Sequence, residues 1–178
     1  MLAKIVRAKM TPIGLDMGET ALRGAQLRRG QSGFTITALT QVDRVLPAGG
    51  SPEPFEQALR RLFSQSAFKG RSVITALNPP EVEFHVLDVP QAALQGGENA
   101  DKVIHWEIGR LTSLSAEQVE TRHWLLPSRP GGTANAIGVS ARRDAVMGLL
   151  GMCNRGRLHC SCVDTGATAL HRFGRLLR

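Results

Sequence analysis

The sequence has no tyrosine, and phenylalanine and tryptophan together supply only 4% of its 178 residues. So few aromatic rings argue against recognition of single-stranded nucleic acid by base stacking. Long apolar runs are missing as well. The longest uncharged apolar stretch near the C-terminus extends from Ala145 to Met152, whereas a membrane-spanning helix needs about 20 apolar residues. We therefore expect neither a base-stacking protein nor a membrane-spanning one.

Cysteine is also scarce, and its number argues against a disulfide framework. The chain has three cysteines, two of them in Cys160-Ser161-Cys162, and an odd number cannot pair completely within one chain. Residues 1–10 are basic but do not lead into the apolar segment of a secretory signal peptide. Both observations predict a protein of the cytosol, where thiols stay reduced.

What the sequence does contain is typical of a globular protein with basic ends. Hydrophobic residues make up 42% and charged residues 21%, close to the soluble average. Lys and Arg number 22 against 15 Asp and Glu, a net charge of +7. Residues 1–9 contain three basic and no acidic residues, and residues 155–178 contain five arginines against Asp164 alone. Such ends are typical of solvated or partner-facing surfaces, and they also suit nucleic acid.

The first part of the chain predicts three strands, a helix and a fourth strand. The three strands, at 13–17, 21–28 and 33–42, are separated by short turns that contain glycine. Ser51 as the N-cap and Pro52 at the first helical position predict a helix that continues to about Ala67. The β-rich residues 72–77 complete the order βββαβ.

The middle of the chain predicts a second unit with the order βαββα. Its strands fall at 82–89, 119–126 and 134–139, and its second helix at 141–155. The first helix begins near Glu98, and the spacing of Ile104, Ile108 and Leu111 predicts its buried face. A strand at 158–163 and a helix from about Thr165 follow. The most economical topology is one domain of residues 1–80 and 157–178, interrupted by a subdomain of residues 81–156.

Residues 13–20, Ile-Gly-Leu-Asp-Met-Gly-Glu-Thr, are the most informative motif. A strand that ends in Asp-x-Gly and turns directly into a second strand presents backbone N–H groups and hydroxyls that can hold phosphate oxygens. The same residue types also form an ordinary β-turn without any ligand. The motif alone leaves both interpretations open.

Together with four later segments, this motif resembles the PilM family of type IV pilus assembly proteins, members of the actin and FtsA-like superfamily. The segments follow the family's order across nearly the whole chain. They are residues 76–78 with Val89-Pro90, Ile104-His105-Trp106-Glu107, residues 136–144, and Val163-Asp164 with residues 169–172.

The resemblance implies an α/β fold, the ribonuclease H-like half of an actin-like ATPase. Residues 1–80 and 157–178 then form subdomain IA, and residues 81–156 form an inserted βαββα subdomain IC. The family's second half, which supplies the opposing phosphate motif and the adenosine pocket, has no counterpart in these 178 residues.

The resemblance also assigns a phosphate-binding hairpin to Asp16, Gly18, Glu19, Thr20 and Arg23. Glu19 stands where the family usually has Ser or Thr, and its carboxylate would repel phosphate oxygens. Arg23 stands where the family usually has Lys, with a bulkier planar head. We therefore expect a vestigial hairpin with no catalytic residue, no metal and no cofactor. ATP with magnesium would need a second half, and we expect no ATP hydrolysis by this chain alone.

A partner follows from the resemblance as well. In the family, PilM binds the short cytoplasmic tail of the inner-membrane protein PilN in the cleft between subdomains IA and IC. The chain is then a cytoplasmic assembly module, held at the inner face of the inner membrane through its partners. A second copy or a separately encoded second half would be a further partner, and nucleic acid would not. The alternatives are a GspL-like module of type II secretion and a basic nucleic-acid-binding protein.

Other chemistry-bearing residues suggest weaker hypotheses. A ribonuclease H-like nuclease would use Asp16 with Glu53, Glu56 or Asp88 as metal ligands, although carboxylates near a helix start also complement its dipole. The spacing of Cys153, His159, Cys160 and Cys162 lacks the C-x₂₋₄-C pair of structural zinc sites, so buried thiols are favoured. Residues 163–168, Val-Asp-Thr-Gly-Ala-Thr, copy a phosphate motif, but their place before the last helix favours a structural role.

Overall fold

The computed structural model describes residues 9–31, 33–45, 50–51, 53–89, 98–112, 114–127 and 135–176. The strands are β1 (Lys9–Met10), β2 (Ile13–Met17), β3 (Ala21–Gly30), β4 (Gly33–Asp43), β5 (Ser72–Leu77), β6 (Val82–Leu87), β7 (Val119–Leu125), β8 (Ala136–Arg142) and β9 (His159–Thr165). The helices are α1 (Phe55–Ser64), α2 (Glu98–Leu111), α3 (Arg143–Arg155) and α4 (Gly166–Leu176). The expected order of elements is present, preceded by β1, which has only two residues and therefore no readable period.

A six-stranded sheet forms the first unit. Its strand order is β1-β3-β2-β5-β9, and β4 pairs with β3. The β2–β3 and β3–β4 pairs are antiparallel, whereas β2 and β5 are parallel. Ile13 and Leu15 are buried while Gly14 and Asp16 are exposed, because successive side chains of a strand point to opposite faces.

Helix α1 covers one face of this sheet. Its buried residues Ala58, Leu59 and Leu62 recur at helical spacing. They form one apolar cluster with residues of the sheet and with Cys153 and Leu158, which come later in the chain. The sheet residues of the cluster are Ile13, Leu15, Leu22, Val42 and Val73. Burial of this cluster is the main stabilising contribution to the unit.

The start of α1 differs from the sequence prediction. The helix begins at Phe55 with Pro54 as its N-cap, not at Pro52 with Ser51 as its N-cap, and no side chain caps it. Since the residue before a proline is disfavoured in helical conformation, Glu53 stays outside the helix. The helix also ends earlier, at Ser64 instead of Ala67. Pro52, the expected first helical residue, lies outside the described part of the chain.

The second unit is an antiparallel sheet of order β6-β8-β7 with α2 on one face. Ile104 and Ile108 of α2 are buried as expected. The prediction that Leu111 completes the buried face is wrong, because Leu111 lies in the last turn of the helix and is exposed. Ala141 and Arg142, expected in the next helix, extend β8 instead.

Contacts divide the chain into residues 1–76 with 149–178 and residues 77–148. The sequence pattern predicts that the chain re-enters the first unit at residue 157. In the structure, Leu149 and Cys153 of α3 are already buried, and Cys153 belongs to the first unit's apolar cluster. In the described ranges, no helix is long and apolar enough to cross a membrane.

Candidate functional site

The β2–β3 hairpin carries the five residues of the expected phosphate site. Asp16 of β2 lies directly across from Arg23 of β3 in the antiparallel ladder, so the two side chains share one face of the sheet. Arg23 Nη1 donates to Asp16 Oδ2 at 3.1 Å, and Arg23 Nε donates to Gln41 Oε1 at 2.8 Å. The guanidinium is therefore occupied by neighbours of its own sheet.

The turn of this hairpin contains Gly18, Glu19 and Thr20. A Cβ at Gly18 would lie 2.9 Å from the carbonyl oxygen of Ala21, so only glycine fits the turn without a shift. Arg44 holds both carbonyl groups of the turn. Its Nη1 donates to the carbonyl oxygen of Glu19 at 2.7 Å, and its backbone N–H donates to the carbonyl oxygen of Thr20 at 2.8 Å. Arg44 also stacks on Phe55 at 3.9 Å, and this contact anchors the turn to the start of α1.

The carboxylates of the nuclease hypothesis are not brought together around a metal. Asp16 pairs with Arg23, Glu53 with Arg61, and Glu56 with Arg155. In the residues that the structure describes, no group of three His, Cys, Asp or Glu side chains is placed to hold a metal ion. Each of these three carboxylates is instead paired with a different arginine, while Asp88, the fourth candidate, is exposed.

Glu53 is the most deeply engaged of these carboxylates. Arg61 donates to it through two nitrogens, Nε at 3.1 Å and Nη2 at 2.6 Å, and the backbone N–H of Val45 donates at 3.1 Å. These bonds, the Arg61 hydrogen bonds foremost, lower the pKa of Glu53. An arginine hydrogen bond likewise lowers the pKa of Glu56, through Arg155. Both acids therefore act as structural anions of the first unit.

The Asp-Thr-Gly motif at residues 164–166 caps α4. Thr165 Oγ1 accepts a hydrogen bond from the backbone N–H of Thr168 at 3.2 Å, which is the geometry of an N-cap side chain. Asp164 Oδ1 accepts from the backbone N–H of Thr165 at 2.8 Å, and Asp164 also pairs with Arg172. The motif's polar groups are thus engaged in starting the helix.

The cysteines lie at different depths. Burial raises the pKa of Cys153 to about 11, and it also raises the pKa of Cys160. Both thiols therefore stay protonated near neutral pH, unlike thiolate metal ligands. The expectation of a buried thiol is wrong for Cys162, which is exposed, as is His159.

A histidine–serine pair in the second unit escaped the sequence analysis. His85 Nε2 and Ser140 Oγ lie 2.8 Å apart, and Ser140 lines a cavity of about 460 Å³ together with Glu83 and Arg142. The nearest Glu83 oxygen approaches the same ring nitrogen, at 3.9 Å. A catalytic triad requires the acid at the opposite nitrogen, so these three side chains do not form one. His85 and Ser140 are 55 positions apart in the sequence, so a search for local motifs does not find the pair.

An apolar face of the second sheet also escaped prediction. Cross-strand partners place Phe84 and Val86 of β6, Ile137 and Val139 of β8, and Trp124 of β7 on the side opposite α2. Phe84 and Trp124 meet edge to face, with ring centroids 6.4 Å apart. Val86 is 70% exposed, and both aromatic rings are exposed as well. We call these five residues the open face. The alternation of apolar residues can be seen in the sequence of each strand, but only the pairing register shows that the three strands form one apolar surface.

Comparison with known proteins supports the fold. No protein-family model and no curated protein matches the chain. The chain is similar to a solved structure of the PilM-PilN type IV pilus biogenesis complex, with a TM-score of 0.70 and 23% identity over 86% of this chain and 47% of that chain. It is also similar to the cytoplasmic domain of EpsL, an inner-membrane component of the type II secretion system of Vibrio cholerae. That match has a TM-score of 0.56 and 13% identity over 88% of this chain and 57% of that chain.

The chain thus spans about half the length of the solved structures that it matches. The resemblance to PilM found in the sequence is confirmed at the level of the fold, a mixed α/β architecture like that of PilM. Identities of 23% and 13% bear on the fold alone.

Proposed function

We propose that this chain is a non-enzymatic assembly module of the type IV pilus machinery, located at the cytoplasmic face of the inner membrane. Its partner is the cytoplasmic tail of a PilN-like membrane protein. The observation that carries the proposal is the fold shared with the PilM-PilN complex over 86% of this chain. A soluble module of this kind acts by binding, so its surface matters more than a catalytic centre.

The open face of the second unit is the surface we assign to the tail, in place of the cleft between subdomains that the resemblance implies. Monomeric proteins expose few contiguous apolar patches, and such patches mark interaction sites. Phe84 and Trp124 supply the kind of aromatic anchors that dominate binding energy at protein interfaces. Glu120 and Arg122 extend from the same side of β7, where they can form a polar rim around an apolar peptide.

The β2–β3 hairpin supports the absence of catalysis. Its cation, Arg23, is paired with Asp16 and Gln41, and its turn carbonyls are held by Arg44. The carboxylate of Glu19 adds a repulsive charge where a phosphate would approach. A hairpin engaged in this way holds the first unit together.

Calorimetric titration with the synthetic tail of the PilN-like protein from the same organism tests the proposal. We expect a dissociation constant below roughly 300 μM, and no heat up to that concentration would overturn the proposal. Trp124→Ala should weaken binding at least about tenfold, because an aromatic anchor is lost. Met147→Lys is the matched control, since Met147 is also apolar and exposed but lies on α3.

Tryptophan fluorescence reports on the open face directly. The chain has two tryptophans, so the variant Trp106→Phe leaves Trp124 as the sole indole fluorophore. Binding of an apolar peptide to the open face should shift the emission of Trp124 to shorter wavelength, because its ring loses contact with water. Heat without this shift would place the tail on another surface.

A second candidate function is a module of a type II secretion system. The likeness to the cytoplasmic domain of EpsL favours it, with a TM-score of 0.56. Titration with the cytoplasmic tail of a type II secretion membrane protein, in parallel with the pilus tail, separates the two functions. The tail that binds more tightly shows whether the chain serves a type IV pilus or a type II secretion system.

A further inference from the structure

The free edge of β4 is the most unusual surface of the first unit. Within the described residues, β4 pairs with β3 alone, so the other edge of an 11-residue strand has unpaired backbone N–H and C=O groups. Proteins usually protect such an edge with lysine, proline or a short strand. Residues 33–42 contain no charged residue and no proline, so this edge is open to another strand.

A β-bulge places Phe34, Ile36 and Leu39 on one face of this strand, and we call these three residues the apolar row. Gln26 pairs with Ala38 and Leu27 pairs with Ile36, which leaves Thr37 without a partner in β3. The extra residue reverses the alternation of side chains along the strand. Phe34 and Ile36 before the bulge therefore share a face with Leu39 after it. Ile36 is 65% exposed and Leu39 is 72% exposed.

The row is complementary to itself in an antiparallel arrangement. When Ile36 of one copy lies opposite Leu39 of another, the same contact recurs on the other side of the two-fold axis. Phe34 then lies opposite Gln41, and all four side chains are on the same face. No like charges meet along residues 33–42, because this segment is uncharged.

Charges at the two ends of β4 favour the same register. Arg29 lies across from Phe34 in the β3–β4 ladder, while Asp43 ends β4. In the antiparallel arrangement, Asp43 of one copy comes close to the long side chain of Arg29 in the other. The attraction occurs twice per pair of chains and opposes a parallel arrangement, in which Asp43 would meet Asp43.

We propose that β4 is a docking surface for a second copy of this chain, which adds its own β4 antiparallel to form a continuous sheet through both molecules. The surface lies in the first unit, and it is independent of the tail-binding function assigned to the open face. Because the contact consists of one strand pair and one apolar row, we expect a reversible dimer with a dissociation constant of about 10–100 μM.

Sedimentation equilibrium of the purified chain from about 5 to about 200 μM measures this association. Ile36→Lys and Leu39→Lys should each raise the dissociation constant at least about tenfold, because an ammonium group would be pressed against apolar side chains. Met147→Lys is the matched control, since Met147 is 61% exposed, and we expect it to dimerise like the unmodified chain. Thermal unfolding by circular dichroism checks that each variant stays folded.

Cross-linking tests the register. In a mixture of Ile36→Cys and Leu39→Cys chains, oxidation should join residue 36 of one copy to residue 39 of the other, which peptide mapping by mass spectrometry identifies. Each variant alone should form this type of link poorly, because identical positions are offset along the strands by about 10 Å, beyond disulfide reach. A chain that is monomeric at every concentration, or a dimer unaffected by both lysine variants, would overturn the proposal.

Discussion

Arg23 lies directly opposite Asp16 in the β2–β3 ladder, and its Nη1 donates a hydrogen bond to Asp16 Oδ2 at 3.1 Å. The two charges that the PilM resemblance assigns to phosphate binding therefore neutralise each other on the surface of the sheet. With Arg23 also bonded to Gln41, the hairpin offers little net positive charge to an anion.

The first prediction is that the 178-residue chain neither binds ATP tightly nor hydrolyses it. Calorimetry and a phosphate-release assay with purified protein, magnesium and ATP should show no submicromolar affinity and no turnover above background. Asp16→Asn tests the reason, because it removes the negative charge beside Arg23 and should increase the weak affinity for inorganic pyrophosphate. Tight ATP binding by the unmodified chain would show that the pairing does not block the site.

The second prediction concerns Glu53. Glu53→Gln replaces the anion that accepts two hydrogen bonds from Arg61, and we expect it to lower the free energy of unfolding by about 2 kcal/mol. The urea midpoint at neutral pH measures the loss. Glu117→Gln is a suitable control, because Glu117 is exposed and its substitution should change stability little.

The same residue predicts a pH dependence. Because the pKa of Glu53 is lowered in the folded state from its ordinary value of 4.5, its contribution is complete above that value and is lost as the pH falls through the folded pKa. Glu56 acts in the same direction. The urea midpoint of the unmodified chain should therefore fall below about pH 4.5, and Glu53→Gln should reduce that fall. Identical pH profiles for the two proteins would contradict the assignment.

A third prediction compares two glycines of the first sheet. A Cβ at Gly24 would lie 2.5 Å from the ring of Phe68, which packs against the apolar cluster, whereas a Cβ at Gly14 would meet nothing closer than 3.7 Å. Gly24→Ala should therefore destabilise the fold by about 1–3 kcal/mol through overpacking. Gly14→Ala, the matched control on the opposite face, should be neutral or slightly stabilising. The melting temperatures of both variants, compared with that of the unmodified chain, test this prediction.

The fourth prediction concerns thiol reactivity. Cys162 is exposed, whereas burial raises the pKa of Cys153 to about 11. Titration of the native chain at about pH 8 with a coloured aromatic disulfide reagent should modify Cys162 first and Cys153 only after unfolding, because the thiolate is the reacting form. Cys162→Ser should remove the fast phase. A fast reaction at Cys153 would contradict its burial.

Much of the architecture could be predicted from the sequence, because apolar periods of two and about 3.6 residues mark strands and helices directly. The order of the elements from β2 to α4 and the burial of Ile104 and Ile108 follow from such patterns. The PilM-like fold was instead implied by the resemblance of the motifs to the PilM family, and the similarity of the structures supports it. The start of α1 was mispredicted because Ser51 and Pro52 look like a helix start, whereas Pro54 moves the start to Phe55.

The candidate site was less predictable. The sequence indicated that Asp16, Gly18, Glu19, Thr20 and Arg23 belong to one hairpin, which adjacent strands and a short turn require. It did not indicate that Arg44 and Gln41 would occupy the hairpin's polar groups, since these contacts depend on strand register. The open face was hidden for the same reason, because Phe84 and Trp124 are 40 residues apart in the chain.

The sequence by itself determined which residues can be apolar strands, helices and turns, because those preferences are local. The tertiary structure decided which residues share a face. In β4 the pattern Phe34-Thr-Ile36-Thr-Ala-Leu39 does not show where the alternation reverses. The pairing with β3 does, by leaving Thr37 unpaired, and so it places Ile36 and Leu39 side by side. Register is set by long-range pairing and packing, and a single residue of shift exchanges the buried and the exposed faces of a strand.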